Sequence, residues 1–342
     1  MKKENIINLI KYHVDKDEFS FRNVALSIAE DFSRNGDNEI CDYIRSLVST
    51  TVFAVPQRSL KNLQYLTNVS TQTSSLYLPE IIKDDIIGII NCVENKTEIN
   101  KILFYGEPGT GKTECCKQIA RILGRELLFV ETEKLIDSRM GETAKNVSLL
   151  FEEIKRLPSR NIMIVFDELD SLVMNRTSTN DLREMGRVTS TFLRELDKFS
   201  KDILLICTTN LYTEIDKALL RRFDYKVSFN RYKKSDLIEI SCKLLIDELK
   251  KYENYNSDIK IFKKMLKNCQ KIPYPAEMKQ ILKVSLAFSD NNDSFSYFRR
   301  IFVSLFGQIY DIEKLNSMGF TTRESEILTR MSKSTISRKL RM

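Results

Sequence analysis

The segment GEPGTGKT, from Gly106 to Thr113, constrains the fold of this 342-residue chain more than any other feature. It has the pattern G-x-x-x-x-G-K-[ST], follows the apolar run ILFY and precedes the helix-like TECCKQIARIL. Glycines let the backbone N–H groups turn inward toward phosphate oxygens, and the helix N-terminus adds a favourable dipole. The pattern therefore predicts a strand, a phosphate-binding loop and a helix. The loop residues are Gly106, Glu107, Pro108, Gly109, Thr110, Gly111, Lys112 and Thr113.

A second motif, IMIVFDELD, supplies carboxylates for the same site. Asp167 ends an apolar strand, where its carboxylate can bind Mg²⁺, and the adjacent Glu168 can polarise an attacking water. In the loop, we expect Lys112 to reach the β- and γ-phosphates and Thr113 to bind Mg²⁺ through its hydroxyl. Together the two motifs predict a site that binds nucleotide phosphates with Mg²⁺ and can activate a water for phosphoryl transfer.

Two further motifs each have two interpretations. The strand LLICTTN ends in Asn210, whose amide either positions a water near the γ-phosphate or begins a turn. Arg221 and Arg222 in ALLRRFD are either solvated or reach a nucleotide in a neighbouring subunit. Such arginine fingers accelerate phosphoryl transfer by about 10³- to 10⁵-fold in other systems. Considered singly, these residues leave both interpretations open.

Five short apolar runs alternate with helix-like segments from residue 79 to about residue 230, which predicts a parallel sheet with helices on both faces. Beyond that region the strand signals stop, and four helical segments remain up to residue 310. The predicted fold is an α/β domain followed by an all-α domain, with small helical modules at the two ends. The predicted divisions are a helical module at 1–55, a linker at 56–78, the α/β subdomain at 79–230, a helical lid at 231–310 and a basic C-terminal module at 311–342.

Composition narrows the class of protein. No apolar run approaches the roughly 18 residues that span a bilayer, and the N-terminus lacks the apolar stretch and cleavage site of a signal peptide. We therefore expect a cytoplasmic protein that does not enter the membrane. The single histidine, His13, excludes metalloproteases of the H-E-x-x-H type. The net charge of +7 is concentrated at one end, because residues 323–342 have six basic and two acidic side chains, a net of +4.

In order and spacing, GEPGTGKT, VFDE, TTN and ALLRRFD resemble the AAA ATPases of the AAA+ superfamily, in the group with a second region of homology. The resemblance covers about residues 80–290. It implies a P-loop NTPase fold, with the Walker A loop at 106–113 and the Walker B residues Asp167 and Glu168. It further implies that Asn210 is a sensor and that Arg221 and Arg222 act in trans, in a homo-oligomeric ring that is usually a hexamer.

Two more segments have counterparts in that family. YPAEMKQI resembles the start of the lid helix that faces the nucleotide, so Ala276 and Lys279 are expected near it. DSRMGET resembles the loop that lines the central pore of the ring. Its usual aromatic position is taken by Arg139, followed by Met140 and Gly141. A guanidinium pairs with acidic groups. We therefore expect the loop to bind one particular, acidic segment of a partner protein rather than to thread arbitrary polypeptide.

The C-terminal segment at 321–342 resembles a helix-turn-helix. TTRESEILTRM would be its first helix and SKSTISRKL its recognition helix, with Ser332 as the N-cap. Glu326 stands at a position that is normally small, and Arg330 stands where the turn glycine is usual. Two interpretations stay open: a DNA-binding element, or a basic helical hairpin that packs on the ring or binds a protein. Residues of the types that meet phosphates and base edges are Ser334, Thr335, Ser337 and Arg338.

Three segments near the N-terminus, NIINLIKYHV, SFRNVALSIAEDFSR and NEICDYIRSLVS, space their apolar residues at three and four, which predicts three helices. This N-terminal module, with LIKYHVDKDEFSFRNVALSIAEDFSRNGDNEICDYIRSLV, resembles the N-domain of bacterial AAA ATPases encoded beside subtilisin-like serine proteases, which are associated with anti-phage defence. Three functions follow from the sequence. The first is an ATP-driven remodeller or regulator of a partner protein, such as a serine protease. The second is an ATP-dependent factor that binds DNA through its C-terminus. The third is a scaffold that binds ATP, assembles and hydrolyses it slowly.

Overall fold

The computed structural model describes most of the chain and divides it into two compact units, Met1–Leu63 and Gln64–Met342. The described residues are 3–14, 18–34, 37, 40–41, 44, 63–71, 76–95, 97–137, 139, 141–157, 161–173, 179–252, 254–290 and 292–341.

The first unit contains helices α1 (Lys3–Val14) and α2 (Glu18–Arg34), which pack against each other. The buried side chains of α2 are Ala25, Ile28 and Ala29, at the three- and four-residue spacing of one helical face. These two helices were predicted from that spacing. Most of the third predicted helix, in NEICDYIRSLVS, lies outside the described residues.

A six-stranded sheet lies at the centre of the second unit, in the order β1-β3-β4-β5-β2-β6. Five neighbouring strands are parallel, and only β1 is antiparallel, to β3. The five strand-like runs of the sequence form β2 to β6, so the predicted parallel sheet is confirmed. The strands are β1 (Leu66–Asn68), β2 (Lys101–Tyr105), β3 (Glu126–Val130), β4 (Ile162–Phe166), β5 (Leu204–Thr209) and β6 (Tyr225–Ser228).

Helices cover both faces of the sheet, which explains why the central strands are almost entirely apolar. On one face, Ile82 and Ile119 pack with Phe104 of β2. On the other face, Phe166 of β4 stacks on Phe151 and meets the edge of Phe192. The helices are α3 (Glu80–Glu94), α4 (Lys112–Ile122), α5 (Thr132–Leu135), α6 (Glu142–Lys155), α7 (Asp170–Val173), α8 (Thr179–Asp197) and α9 (Lys217–Leu220).

The predicted linker at 56–78 is wrong for its described second half. Residues 66–68 form the edge strand β1, and the side chains of Tyr65, Leu66 and Leu78 are buried. The Ser, Thr, Asn and Gln content suggested a flexible segment, yet an edge strand needs few apolar side chains because only one of its faces packs on the core. The residues at 56–62 and 72–75 lie outside the described part of the chain.

The remaining residues form a helical layer whose core contains Leu245, Phe262, Leu282, Phe298 and Phe302. All four helices predicted for the lid are present. This part of the chain comprises α10 (Lys234–Leu249), α11 (Ile259–Asn268), α12 (Pro275–Ala287), α13 (Ser296–Phe306), α14 (Ile312–Ser317), α15 (Thr322–Thr329) and α16 (Lys333–Lys339). Within the described residues, no helix combines the length and apolarity of a membrane-spanning segment.

The C-terminal module is continuous with the lid, which corrects the predicted division at residue 311. Leu315, Phe320 and Leu328 are buried in the same core as the lid helices. At the surface, Lys264 donates a 2.6 Å hydrogen bond to Glu324. The short, polar helices α14 and α15 suggested a separate hairpin, but their few apolar residues all face the lid.

This packing predicts that the C-terminal helices stabilise the lid. Leu328→Ala removes a fully buried side chain, so it is expected to lower the free energy of unfolding by about 2–5 kcal/mol. Arg323→Ala, on the exposed surface of the same helix, is the matched control and should change it by less than about 0.5 kcal/mol. Urea unfolding of full-length protein measures both. Equal stability of the two variants would contradict a shared core.

Candidate functional site

Three neighbouring parallel strands end at one edge of the sheet, and each is followed by a predicted site residue. Tyr105 at the end of β2 pairs with Thr209 at the end of β5, and β4 runs parallel on the other side of β5. The glycine-rich loop, Asp167 and Asn210 therefore meet beyond the carboxyl ends of these strands. Open α/β sheets bind their ligands in this crevice.

The glycine-rich loop begins with a position that only glycine can occupy. Gly106 has φ +146°, and a Cβ atom there would lie 2.6 Å from Oδ1 of Asn230. That oxygen accepts a 2.7 Å hydrogen bond from the N–H of Glu107. At the other end of the loop, Gly111 adopts the left-handed conformation and caps α4. Both glycines therefore hold the curled backbone that directs N–H groups inward.

The ammonium group of Lys112 is buried within this loop. It donates hydrogen bonds to the carbonyl oxygens of Gly106 (2.7 Å) and Glu107 (3.0 Å) and to Oδ1 of Asn210 (2.8 Å). Burial lowers the pKa of Lys112, and nearby carboxylates, above all that of Asp167, oppose this effect. A desolvated cation at a helix N-terminus is suited to bind an anion such as phosphate.

The loop also has unused donors. Within the described part of the chain, the N–H groups of Gly109, Thr110 and Gly111 donate to no other residue. Converging N–H groups around a buried lysine form an anion-binding concavity. The loop residues therefore fit the phosphate groups of a nucleotide.

The side chains of Thr113 and Asp167 meet, as the metal-site prediction requires. The hydroxyl of Thr113 lies 3.0 Å from Oδ2 of Asp167. The hydroxyl of Thr208 donates a 2.6 Å bond to Oδ1 of the same carboxylate and accepts one of 3.0 Å from the N–H of Glu168. A hydroxyl and a carboxylate are oxygen ligands of the kind that Mg²⁺ takes from protein. Thr113 and Asp167 therefore fit a magnesium ion bound beside nucleotide phosphates.

Glu168 differs from Asp167 in its surroundings. Its backbone has φ 53°, which is uncommon for a residue with a side chain. Its carboxylate is exposed and bonds to none of the described residues. Strained conformations of this kind concentrate at functional sites. The turn thus presents a free carboxylate directly beside the candidate metal ligand.

Asn210 is held from both sides. Its Oδ1 accepts the hydrogen bond from Lys112, and its N–H donates to Oδ1 of Asp170 at 3.3 Å. Next to it, the ring of Tyr212 stacks on that of Tyr105 at 4.0 Å, which joins the turn after β5 to the strand that feeds the loop. These contacts favour a role at the site over that of a simple turn residue.

A cavity of about 460 Å³ adjoins the glycine-rich loop. Leu76 and Leu244 give it apolar walls, and its lining also includes Ala276 and Lys279, the two lid residues expected near the nucleotide. The N–H of Ala276 donates a 3.1 Å hydrogen bond to the carbonyl of Gly109. A partly apolar cavity beside a phosphate loop has the shape and chemistry that a planar base requires.

The segment between β6 and the lid is bonded to the same loop. Besides the contact of Asn230 with Glu107, the hydroxyl of Tyr232 donates a 2.7 Å bond to the carbonyl of Thr110. Burial raises the pKa of Tyr232, which keeps this hydroxyl protonated and able to donate. Lid, connecting segment and phosphate loop are therefore linked at residues 107, 109 and 110.

The two candidate arginine fingers lie away from this chain's own loop. Asp224 accepts hydrogen bonds from the N–H groups of Asn100 and Lys101, at the start of β2, whereas the glycine-rich loop follows the end of that strand. Arg222 is paired with Asp197 at 3.0 Å. Arg221 is exposed and bonds through its side chain to none of the described residues. The two arginines therefore differ, and Arg221 is the freer one.

The predicted pore loop is only partly described. Met140 lies outside the described residues, and Gly141 has φ 87° and caps α6. Arg139 is exposed and folds back onto Asp137, with Nη2 to Oδ2 at 3.1 Å. The hydrogen bonds from Arg139 lower the pKa of Asp137. The guanidinium of Arg139 is therefore exposed to solvent and paired with the carboxylate of Asp137.

The C-terminal hairpin has the predicted cap. The hydroxyl of Ser332 accepts from the N–H of Thr335 at 3.4 Å and lies 2.9 Å from the hydroxyl of Ser334. It also lies 3.0 Å from the hydroxyl of Thr335, so two of the hydroxyls predicted to meet phosphates or bases, those of Ser334 and Thr335, are engaged at this cap. Arg338 is exposed, and Ser337 is half-buried.

Sequence reasoning missed the residues that hold the others in place. Thr208, Asp170, Asn230 and Tyr232 contact site residues, yet none of them was assigned a role. Thr208 and Asp170 lie within the quoted segments LLICTTN and IMIVFDELD, whereas Asn230 and Tyr232 lie outside every motif. Thr208 precedes the noted Thr209–Asn210 pair, and Asp170 follows Glu168 by two positions, so proximity was the only available signal. The role of Leu76 as a wall of the cavity was not predicted, because it lies in a segment whose polar composition suggested a linker.

Comparisons with known proteins agree with this geometry. Residues 102–231 match the model of the "ATPase family associated with various cellular activities (AAA)". The crystal structure of the FIGL-1 AAA domain superposes with a TM-score of 0.52 at 18% identity, covering 79% of this chain and 95% of that one. At that identity the likeness concerns the fold alone.

Curated relatives match over the same region. An uncharacterized AAA family ATPase, y4kL, of Sinorhizobium fredii is 38% identical over 132 residues, which is 39% of each chain. Peroxisomal ATPase pex6 of Schizosaccharomyces pombe is 33% identical over 53% of this chain and 19% of its own length. A cell division cycle protein 48 homolog of Archaeoglobus fulgidus is 37% identical over 35% and 16%. The chain thus spans well under two thirds of these relatives, and the region that it shares with them is the one that matches the AAA ATPase family model, residues 102–231.

Proposed function

We propose that this chain binds ATP with Mg²⁺ and hydrolyses it at the edge formed by β2, β5 and β4. The observation that carries the proposal is the convergence of a buried lysine, a threonine–aspartate pair and a free glutamate at one crevice. The relevant residues are Lys112, Thr113, Asp167 and Glu168. In this proposal the protein is a cytoplasmic remodeller or regulator of a partner protein.

In this mechanism each part of the site has one task. The loop N–H groups and Lys112 bind the β- and γ-phosphates, and bound Mg²⁺ would neutralise their charge. Glu168 orients a water and takes up its proton as the water oxygen bonds to the γ-phosphorus. The bond from that phosphorus to the bridging oxygen breaks, which gives ADP and phosphate. Asn210 and Asp170 keep Lys112 and the turn after β5 in register.

We propose that hydrolysis requires assembly into a homo-oligomeric ring, usually a hexamer in this family. Arg221 and Arg222 lie toward the opposite end of β2 from their own phosphate loop, so they would serve the site of a neighbouring subunit. Asp197 supports this role by orienting Arg222. A cation delivered in trans would stabilise charge that develops on the transferred phosphoryl group.

The partner is proposed to be a protein with an acidic segment. Arg139 is exposed and forms its ion pair with Asp137 of the same loop. An exposed ion pair of this type contributes little free energy, so the carboxylate of a partner can replace Asp137 at low cost. In its narrower form, the proposal names a subtilisin-like serine protease in bacterial anti-phage defence, on the resemblance of the N-terminal module. A protease gene beside this one would support that form.

The second candidate function is an ATP-dependent factor that binds DNA. Arg338 and Lys339, exposed on the last helix, favour it. Stimulation of ATPase activity distinguishes the two functions: stimulation by duplex DNA supports the second, and stimulation by an acidic polypeptide supports the first. A slow rate that neither changes would favour the ATP-gated scaffold.

The first prediction concerns the proposed base. Glu168→Gln should retain ATP binding and reduce the hydrolysis rate by about 10²- to 10⁴-fold, the range of a general base. Lys112→Ala should instead lose binding, because it removes the buried cation. Fluorescent-nucleotide titration and phosphate release measure the two steps separately. Normal hydrolysis by the Glu168 variant would rule out this assignment.

The second prediction tests action in trans. Arg221→Ala retains its own nucleotide site but lacks the finger, whereas Lys112→Ala lacks the site but retains the finger. Each variant alone should be inactive, and a mixture should recover activity at interfaces that join an intact site to an intact finger. Arg222→Ala in the same assay shows whether both arginines are needed. A mixture without activity would mean that the arginine does not act across subunits.

The third prediction concerns Arg139. Polyglutamate should raise the ATPase rate of the native protein above its basal value. In Arg139→Ala the stimulated rate should equal the basal rate. Asp137→Asn is the matched variant: it removes the competing carboxylate, so stimulation should occur at lower polyglutamate concentration. Polylysine is the charge control. Equal stimulation of all three proteins would assign the loop no part in recognition.

A further inference from the structure

A second cavity, of about 620 Å³, lies in the helical layer. It is open to solvent and is lined by the end of α12, by α13 and by the turn between α15 and α16. Three arginines line it, Arg299, Arg300 and Arg330, together with the apolar side chains of Val284, Phe288 and Val303. None of these residues belongs to the nucleotide site.

The charges of this arginine-lined cavity are only partly balanced. Arg299 is paired with Asp293 and donates a 2.8 Å hydrogen bond to the carbonyl of Ile327. Arg300 and Arg330 form no side-chain hydrogen bond or ion pair with the described residues. The lining has one carboxylate, Asp290, which accepts the N–H of Asn292 at 3.0 Å. Two guanidinium groups thus remain available to an anionic ligand.

The apolar side chains beside them are unusually accessible. Phe288 is 67% exposed, Val284 49% and Val303 41%. Single exposed apolar residues are common on protein surfaces, but a group of them at the rim of one cavity marks an interaction site. Arginine and aromatic residues are also the residue types that contribute most to protein–protein binding.

Arg330 provides an independent observation. It ends α15 with φ 60° and ψ 10°, the left-handed conformation that glycine adopts without strain at helix ends. Its backbone N–H bonds to the carbonyl of Glu326, as in an ordinary helix cap. Glycine at position 330 would therefore form this turn with less strain than arginine does. The arginine instead places a side chain at the cavity. Strained residues of this kind point to function.

We propose that the arginine-lined cavity binds an acidic segment of a partner protein, with carboxylates on Arg300 and Arg330 and an apolar side chain against Phe288. Guanidinium groups bind carboxylates in a planar, bidentate manner. The aliphatic wall of Val284 and Val303, beside the exposed ring of Phe288, suits an amino-acid side chain better than a phosphate backbone. This inference goes beyond the proposed ATPase function and does not depend on ATP turnover.

Fluorescence anisotropy with the full-length chain, measured without nucleotide, tests the proposal. The probe is a short dye-labelled peptide rich in Glu with one central Phe. Arg330→Gly and Arg300→Ala should each weaken its binding roughly ten-fold, the effect of losing one charge-assisted hydrogen bond. Replacing the Phe of the probe with Ser, or Phe288 of the protein with Ser, should also weaken binding.

The Arg330→Gly variant separates binding from folding. It relieves the left-handed strain, so the melting temperature should stay the same or rise while peptide binding falls. A residue with only a structural role would change both in the same direction. Arg338→Ala removes an equal charge from the neighbouring helix outside the cavity, and it should leave peptide binding unchanged.

Three results would overturn the proposal. The first is that the acidic peptide does not bind, and the second is that it binds the Arg330 and Arg300 variants as tightly as the native protein. The third is binding of duplex DNA that depends on Arg300 and Arg330 while the peptide fails to bind, which would assign the cavity to nucleic acid. Loss of ATPase activity in Glu168→Gln has no bearing on these measurements, so the two proposals fail separately.

Discussion

Parallel pairing of β2, β5 and β4 determines where Lys112, Asp167, Glu168 and Asn210 lie. Because the three strands run in one direction and end at one edge, the residue after each strand enters the same crevice. Thr208 then joins Asp167 to the N–H of Glu168, so the metal ligand and the candidate base share one support in β5. The buried ammonium of Lys112 completes the arrangement by bonding to Asn210.

The phosphate loop is connected to the lid as well as to the sheet. Asn230, Tyr232 and Ala276 all bond to backbone groups of the loop, and they lie in the connecting segment or at the start of α12. These are directional contacts between two parts of the chain that pack around separate cores. A change in the loop on binding nucleotide would thus reach the lid through these hydrogen bonds, since each bond fixes a donor and an acceptor in different parts of the chain.

Much of the fold could be predicted because its signals are local. Apolar runs such as that ending at Phe166 and the glycine pattern at Gly106 are readable without tertiary contacts. The roles of residues that contact a partner far away in the sequence could not be predicted. Asn230 meets Glu107 across 123 positions, and the edge strand β1 has a polar composition. The division at residue 311 failed for the same reason, because the few apolar side chains of α14 and α15 gain meaning only against the lid core.

One helix, α12, links the nucleotide site to the arginine-lined cavity. Its first turn bonds to the phosphate loop through Ala276, and Val284 near its end and Phe288 directly after it line the cavity. A helix of 13 residues is about 20 Å long and behaves as a stiff rod. A rotation of α12 that follows nucleotide binding would therefore move the cavity wall as well. A partner held there would in turn resist that rotation, because coupling between two binding sites is reciprocal.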